Sequence, residues 1–206
     1  MPMTPLVVAD RLDLLDLLRE LTPAEWESPS LCAGWTVRDV VAHLLSYEGL
    51  SPAQLASRAV RAGLLPDRMN AIGIRELAGL TPDELVQGLA SHLEPSGPAR
   101  RFGSRLGLTD GLIHQQDIRR PLNRPRQIPP ERVRQSLSFA LTSPLLRGAW
   151  RARGLSLVAE DVGWTHGSGP EVRGPGEAVL LAMAGRAAAL ADLSGPGVPV
   201  LSRRMP

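Results

Sequence analysis

Two carboxylates and two histidines in this chain stand at spacings that can do chemistry. Asp110 and His114 lie four residues apart in the segment TDGLIHQQDIRRPL, which begins at Thr109. On a helix, residues i and i+4 share a face, so the carboxylate and the imidazole project together. A divalent metal takes ligands from one helix in this arrangement. A third donor has to come from another element, and His43 suits the role. It is set among Val37, Val40, Val41, Leu44 and Leu45 on the apolar side of a helix. Two imidazole nitrogens and one carboxylate oxygen leave a position open on zinc, the pattern of a reactive site rather than a structural one. Bundle cores are a common place for such sites. Asp117, three residues beyond His114, has several open roles. It can replace Asp110 as a ligand, orient His114 by accepting from its second ring nitrogen, or pair with Arg119 or Arg120. A lone histidine on an amphipathic helix is also commonly a satisfied core residue, and that reading of His43 stands beside the metal one. His92, near a helix end, and His166, in an expected turn beside Gly167, read as surface residues. Cys32 has no obvious base beside it in sequence and reads as a small buried thiol.

The elements that must position these groups are mostly helical. Leu12, Leu14, Leu15, Leu17, Leu18 and Leu21 form the apolar stripe of a first helix over about 5–21. Thr36 and Asp39 make a capping box that starts the helix carrying His43, which should run to Tyr47 or Glu48. Ser51-Pro52 opens a helix to about Ala62. The stretch 63–79 is irregular and reads as a loop with a short helix. Thr81-Pro82-Asp83-Glu84 is another capping box, for a helix to about Leu93, and Glu94–Pro98 breaks it. Thr109 is a candidate cap for the helix of Asp110 and His114, with an earlier start near Ala99 as the alternative; Pro121 stops it. A proline-rich connector leads to a helix over 130–141. After Arg153 the pattern changes. Residues 155–159, 162–165 and 171–173 alternate as short strands, 176–190 reads as a helix, and 198–202 as a last strand. The expectation is a mainly α chain, with a helical bundle over 1–150 and a small α+β module over 151–206.

The chain has 206 residues, 43% of them hydrophobic, enough for a sizeable core. Its single cysteine excludes an internal disulfide and any zinc site built on several thiolates. No apolar run reaches the roughly 18 residues that span a membrane, and no basic-then-apolar leader opens the chain. A cytoplasmic protein without membrane association is expected. All 23 basic residues are arginine against 21 acids. They are scattered, and with one tyrosine and two phenylalanines for stacking, nucleic-acid binding is not expected. Arginine without lysine, with 20 glycines and 19 prolines, points to a GC-rich genome.

The segment from Trp26 to Leu44, ending GWTVRDVVAHL, resembles the mycothiol-dependent maleylpyruvate isomerase family. So do IHQQDIRRPLNRPRQIP from Ile113 and LVAEDVGWTHGSGPEVRGPGEAVLLAMAGR from Leu157. That family belongs to the DinB-like group of metal-binding four-helix bundles and carries a C-terminal α+β module. The resemblance implies a divalent metal, usually zinc, held by His43, Asp110 and His114. It implies mycothiol as thiol cosubstrate at the open position, and a small-molecule electrophile as the other partner. The family usually has glutamate where this chain has Asp110; aspartate is one methylene shorter and is expected to reach the metal less readily. The implied chemistry is isomerisation or S-transfer by an activated thiolate. Arginine suits carboxylates, which makes Arg119 and Arg120 candidates for cosubstrate binding and Arg186 the candidate catalytic contribution from the tail. A mycothiol-using actinobacterial host fits the composition. The alternative is a non-catalytic or regulatory bundle that binds a small molecule or protein partner. Monomer and homodimer both remain open.

Overall fold

In a computed structural model, which describes residues 3–100 and 103–205, the chain divides into two compact units, residues 1–125 and 126–206. The first contains α1 (Met3–Arg19), α2 (Pro23–Trp26), α3 (Val37–Ser46), α4 (Pro52–Arg61), α5 (Pro66–Glu76), α6 (Pro82–Ala90) and α7 (Arg105–Arg119). Helices α1 and α3 each lie against both α6 and α7, which makes a four-helix bundle. Its core joins Leu14, Leu15 and Leu18 of α1 to Val37, Val40 and Val41 of α3, Leu85 and Leu89 of α6, and Ile118 of α7.

Local sequence signals set the helix starts. Thr22, Thr36, Ser51 and Thr81 each close a capping box with the residue three positions on. Such a cap contributes about 1 kcal/mol and, more usefully here, fixes where the helix begins. At Thr36 the hydroxyl accepts from the Asp39 amide at 3.2 Å, while the Asp39 carboxylate accepts from the Thr36 amide at 2.9 Å. That start places Val37, Val40, Val41 and His43 on the buried side of α3. The helix of Asp110 and His114 begins earlier than a Thr109 cap would allow. Thr109 is buried inside α7.

The largest departure from expectation in this unit is α5, a regular 11-residue helix where the sequence reads as irregular. Pro66 occupies its first turn, where a missing amide costs nothing. Gly73, which weakens the helical pattern, permits close packing. A Cβ there would stand 2.4 Å from Ser46 Oγ and 2.9 Å from Arg58 Nη1. α5 therefore sits on α3 at a distance only glycine allows.

The second unit contains α8 (Pro130–Thr142), α9 (Gly148–Ala152), β1 (Ser156–Ala159), β2 (Trp164–Gly167), β3 (Glu171–Gly174), α10 (Gly176–Met183) and α11 (Val198–Ser202). The sheet order is β2-β1-β3, with β1 antiparallel to β2 and parallel to β3. The division falls at 125/126 rather than near 150, because α8 packs on α10 and on α9 within this unit. The expected last strand is instead the short helix α11. Pro199 lacks the amide a strand interior would donate but is well placed in a helix's first turn. β2 begins two residues later than expected, because Glu160–Val162 forms a 3-10 turn that Gly163 closes with φ 60°. The helix expected over 176–190 stops at Met183, before Gly185 at φ 91°. Among the described residues no helix is long and apolar enough to cross a membrane.

Gly73→Ala is expected to lower stability by about 1–3 kcal/mol, the usual range for overpacking. The measurement is the chemical-denaturation midpoint. Gly79→Ala, where a Cβ meets nothing within 4 Å, is the control.

Candidate metal centre

Three elements of the first unit converge on His114. Helix α7 supplies Asp110, His114 and Asp117; α3 supplies His43 and Tyr47; the loop before α3 supplies Cys32 and Trp35. That loop is pinned to α7 by its own backbone, since the Leu31 amide donates to the Asp117 carbonyl at 3.0 Å. Bridge pairing of Pro29 with Thr36 closes the loop at the cap.

The side chains meet as the spacing predicts. His114 Nε2 lies 3.5 Å from Asp110 Oδ1, and His43 Nε2 lies 3.7 Å from Asp110 Oδ2. The two imidazoles meet edge to face with ring centroids 4.7 Å apart. His43, Asp110 and His114 each offer one ligand atom, and these atoms all fall within 4.8 Å of one another. Donors bound tetrahedrally to zinc at about 2.0–2.1 Å stand roughly 3.3 Å apart. Asp110 therefore lies close to ligand spacing from both histidines. Both imidazoles are buried, whereas the Asp110 side chain is 36% exposed, so the centre has an open side.

Asp117 lies on the far side of His114, with its Oδ2 2.9 Å from His114 Nδ1. It has no solvent exposure. A carboxylate there fixes the ring orientation and places the proton on Nδ1, which leaves Nε2 as the nitrogen facing Asp110 and His43. Of the roles open to Asp117 in the sequence, this geometry supports orientation of His114. Cys32 departs from expectation. Its thiol is half-buried and not remote from a base, with Sγ 3.1 Å from Asp117 Oδ2 and 3.6 Å from His114 Nδ1. Cys32, His114 and Asp117 form a second close set of potential donors that shares His114 with the first.

His114 has an unusual proton affinity. Burial is the largest influence and works against protonation. It is outweighed by the Asp110 charge, by the ring's hydrogen bonds to Asp117 and Cys32, and by the Asp117 charge, which together raise the imidazole from 6.5 to about 10. Without a metal the ring is an imidazolium held between two carboxylates.

Two aromatic residues of the site were missed as site residues in the sequence. The Trp35 ring lies 5.1 Å from His43 and 6.2 Å from His114. Tyr47 meets His43 edge-on at 5.5 Å, and its hydroxyl donates to Asn70 at 2.7 Å. Tyr47 had a readable signal, since it stands four residues after His43 on the same helix face. Its phenol is held above the usual range, first by burial and then by Asp110, against the lowering effect of Arg58. The Arg58 guanidinium stacks over the Tyr47 ring at 5.2 Å.

The arginines singled out in the sequence are dispersed. Arg119 ties α7 to α1, with Nη2 donating to the Asp13 carbonyl at 3.0 Å and Nε to Gln115 at 3.1 Å. Arg120 is half-buried at the C-terminal end of α7. Arg186 belongs to the second unit, at the turn after α10, with Nη1 donating to the Ala184 carbonyl at 3.2 Å. His92 is half-buried, its ring bonded to the Gly88 carbonyl at 2.8 Å. His166 is exposed on β2 rather than in a turn.

Fold and donor set define a helical bundle with an internal His–Asp–His centre, joined to a small α+β unit. Residues 9–95 match the family described as the mycothiol maleylpyruvate isomerase N-terminal domain, and so bear out the resemblance seen in the sequence. The matched span includes His43 and stops before Asp110. Among solved structures, a histidine-to-alanine variant of the mycothiol-dependent maleylpyruvate isomerase is similar with a TM-score of 0.59 at 18% identity, over 94% of this chain and 91% of that one. A second structure of that isomerase gives 0.55 at 17% identity over the same shares. At these identities the likeness is one of fold. Comparison with curated protein sequences gives no match.

The raised His114 value sets a pH dependence for the metal-free protein. A proton bound more tightly when folded stabilises the fold fully below pH 6.5, and that contribution is lost as pH rises from 6.5 through about 10. The thermal midpoint of chelator-treated protein should fall across this window. Asp117→Asn should flatten the fall, and an unchanged slope would show that His114 does not bind its proton through Asp117.

Proposed function

We propose that the chain is a divalent-metal-binding, mycothiol-dependent enzyme that directs a thiolate at a small electrophile, in the manner of a maleylpyruvate isomerase. The observation that carries this reading is the convergence of His43, Asp110 and His114 on one point beside a partly open edge. Two imidazoles and a carboxylate suit zinc and leave room for a further ligand. A divalent cation bound there lowers the pKa of a thiol at the open position, so that the thiolate is present near neutral pH. The match over residues 9–95 supports mycothiol as that thiol.

The chain's own residues do the rest. Asp117 keeps His114 in one tautomer and one orientation. Trp35 and Tyr47 flank the imidazoles, restrict water and hold the rings in place. Maleylpyruvate presents an activated alkene. Addition of the thiolate sulfur to one alkene carbon moves an electron pair into the adjoining carbonyl, and rotation then occurs about the new single bond. Breaking the carbon–sulfur bond restores the alkene in its other geometry and regenerates the thiolate. Stabilising the developing enolate oxygen calls for cationic donors. That role is proposed for Arg186 as the catalytic candidate, with Arg119 and Arg120 proposed to bind the cosubstrate. The host's cytoplasm, where this thiol is found, is the proposed location.

Protein purified without a histidine tag should carry about one divalent metal per chain. His43→Ala and His114→Ala should remove it, and Asp117→Asn should weaken metal affinity by about 10–100-fold. Unchanged metal content in the two alanine variants would refute the ligand set. Metal-loaded protein should isomerise maleylpyruvate only with mycothiol present. Absence of turnover with any thiol or electrophile would favour a binding or regulatory role. Arg186→Gln should lower kcat while leaving metal content unchanged.

A further inference from the structure

The second unit contains a cleft of about 630 Å³ that the proposed function does not use. Its origin lies in the sheet. In antiparallel pairing, facing residues point to the same side, and Leu157 pairs with His166 while Ala159 pairs with Trp164. Leu157 and Ala159 are buried. Trp164 and His166 therefore extend the inner face of the sheet onto its edge strand, where the helices cover it incompletely. Ser138 and Leu141 of α8, with Ala149 and Ala152 of α9, also line the cleft. Buried Leu155 and Ala152 contribute to the floor, and the lining is more apolar than polar.

Three features give this cleft a chemical preference. The first is aromatic: Trp164 and His166 both line the cleft, and their rings stack on one another with centroids 6.0 Å apart and planes at 25°. The second is its rigidity, because the Trp164 indole nitrogen donates to Ser138 Oγ at 3.3 Å. The third is Arg153, an exposed cation that lines the cleft and to which no carboxylate among the described residues is paired. An aromatic face takes flat unsaturated groups, and a guanidinium takes carboxylates in a forked pair. A volume in this range is typical of sites for small molecules.

We propose that residues 126–206 hold a separate binding site for a flat, conjugated monocarboxylate, stacked on Trp164 with its carboxylate on Arg153. The site is independent of the metal-centre reading and involves none of its residues. The probes are cinnamate and its neutral isostere cinnamamide, titrated by calorimetry into the full chain with chelator present. The indole N–H resonance of Trp164 is followed by NMR. Cinnamate is expected to bind about tenfold or more tightly than cinnamamide, a ratio typical of a charge-assisted hydrogen bond. Arg153→Gln should erase that preference while leaving cinnamamide binding intact. Arg153 is exposed, so this variant should fold. Trp164→Ala should weaken both probes, and Ala149→Trp, which fills the cleft from an exposed helix position, should block both. His114→Ala should bind cinnamate as the unaltered chain does. The proposal is overturned if cinnamate does not bind, if it binds without shifting the Trp164 resonance, if Arg153→Gln leaves the preference unchanged, or if His114→Ala abolishes binding.

Discussion

The contact between Asp117 and His114 is the constraint on which the first unit depends. A carboxylate with no exposure to water is costly unless its charge is compensated. Here the compensation is local: the His114 ring at 2.9 Å and the Cys32 thiol at 3.1 Å. The Leu31 amide reaches the Asp117 backbone carbonyl, so the same residue anchors the loop that carries Cys32 and Trp35. One buried acid thus fixes a tautomer and a ring orientation, while its backbone carbonyl holds the loop. Substituting the side chain would disturb the first two together, which is why its effect should reach both proton and metal affinity.

His114 can meet a donor from α3 only if the two helices keep their phase, and capping supplies this. The Thr36–Asp39 box starts α3 at one residue and no other, and seven positions later the chain delivers His43 to the buried side. This part of the fold was legible in the sequence because a cap and an apolar repeat are local signals. So was the i,i+4 pairing of Asp110 with His114, which needs only a helix. The distance between α3 and α7 was not legible. It decides whether His43 comes within reach of Asp110, and it is a property of packing rather than of either segment.

The misread elements have two physical causes, long-range packing and a local proline. Stretch 63–79 looks irregular because Gly73 and Pro66 are poor helix formers in isolation, yet tertiary contact requires the first and the helix start accommodates the second. Val198–Ser202 has β-forming residues but also a proline that a strand interior would not accept. Cys32 looked isolated because its partner Asp117 lies 85 residues away in sequence. Trp35 stands in the loop just before α3, and its contact with both imidazoles depends on the loop's return to α7. Local rules read the four capping-box starts well, and failed at α5 and at Cys32, where a long-range contact decided the outcome.

Every donor of the candidate centre, and the carboxylate that orients it, comes from residues before 126, where the chain divides. The candidate ligand set is therefore encoded by the first unit alone, so a substitution in residues 126–206 changes none of its donor atoms.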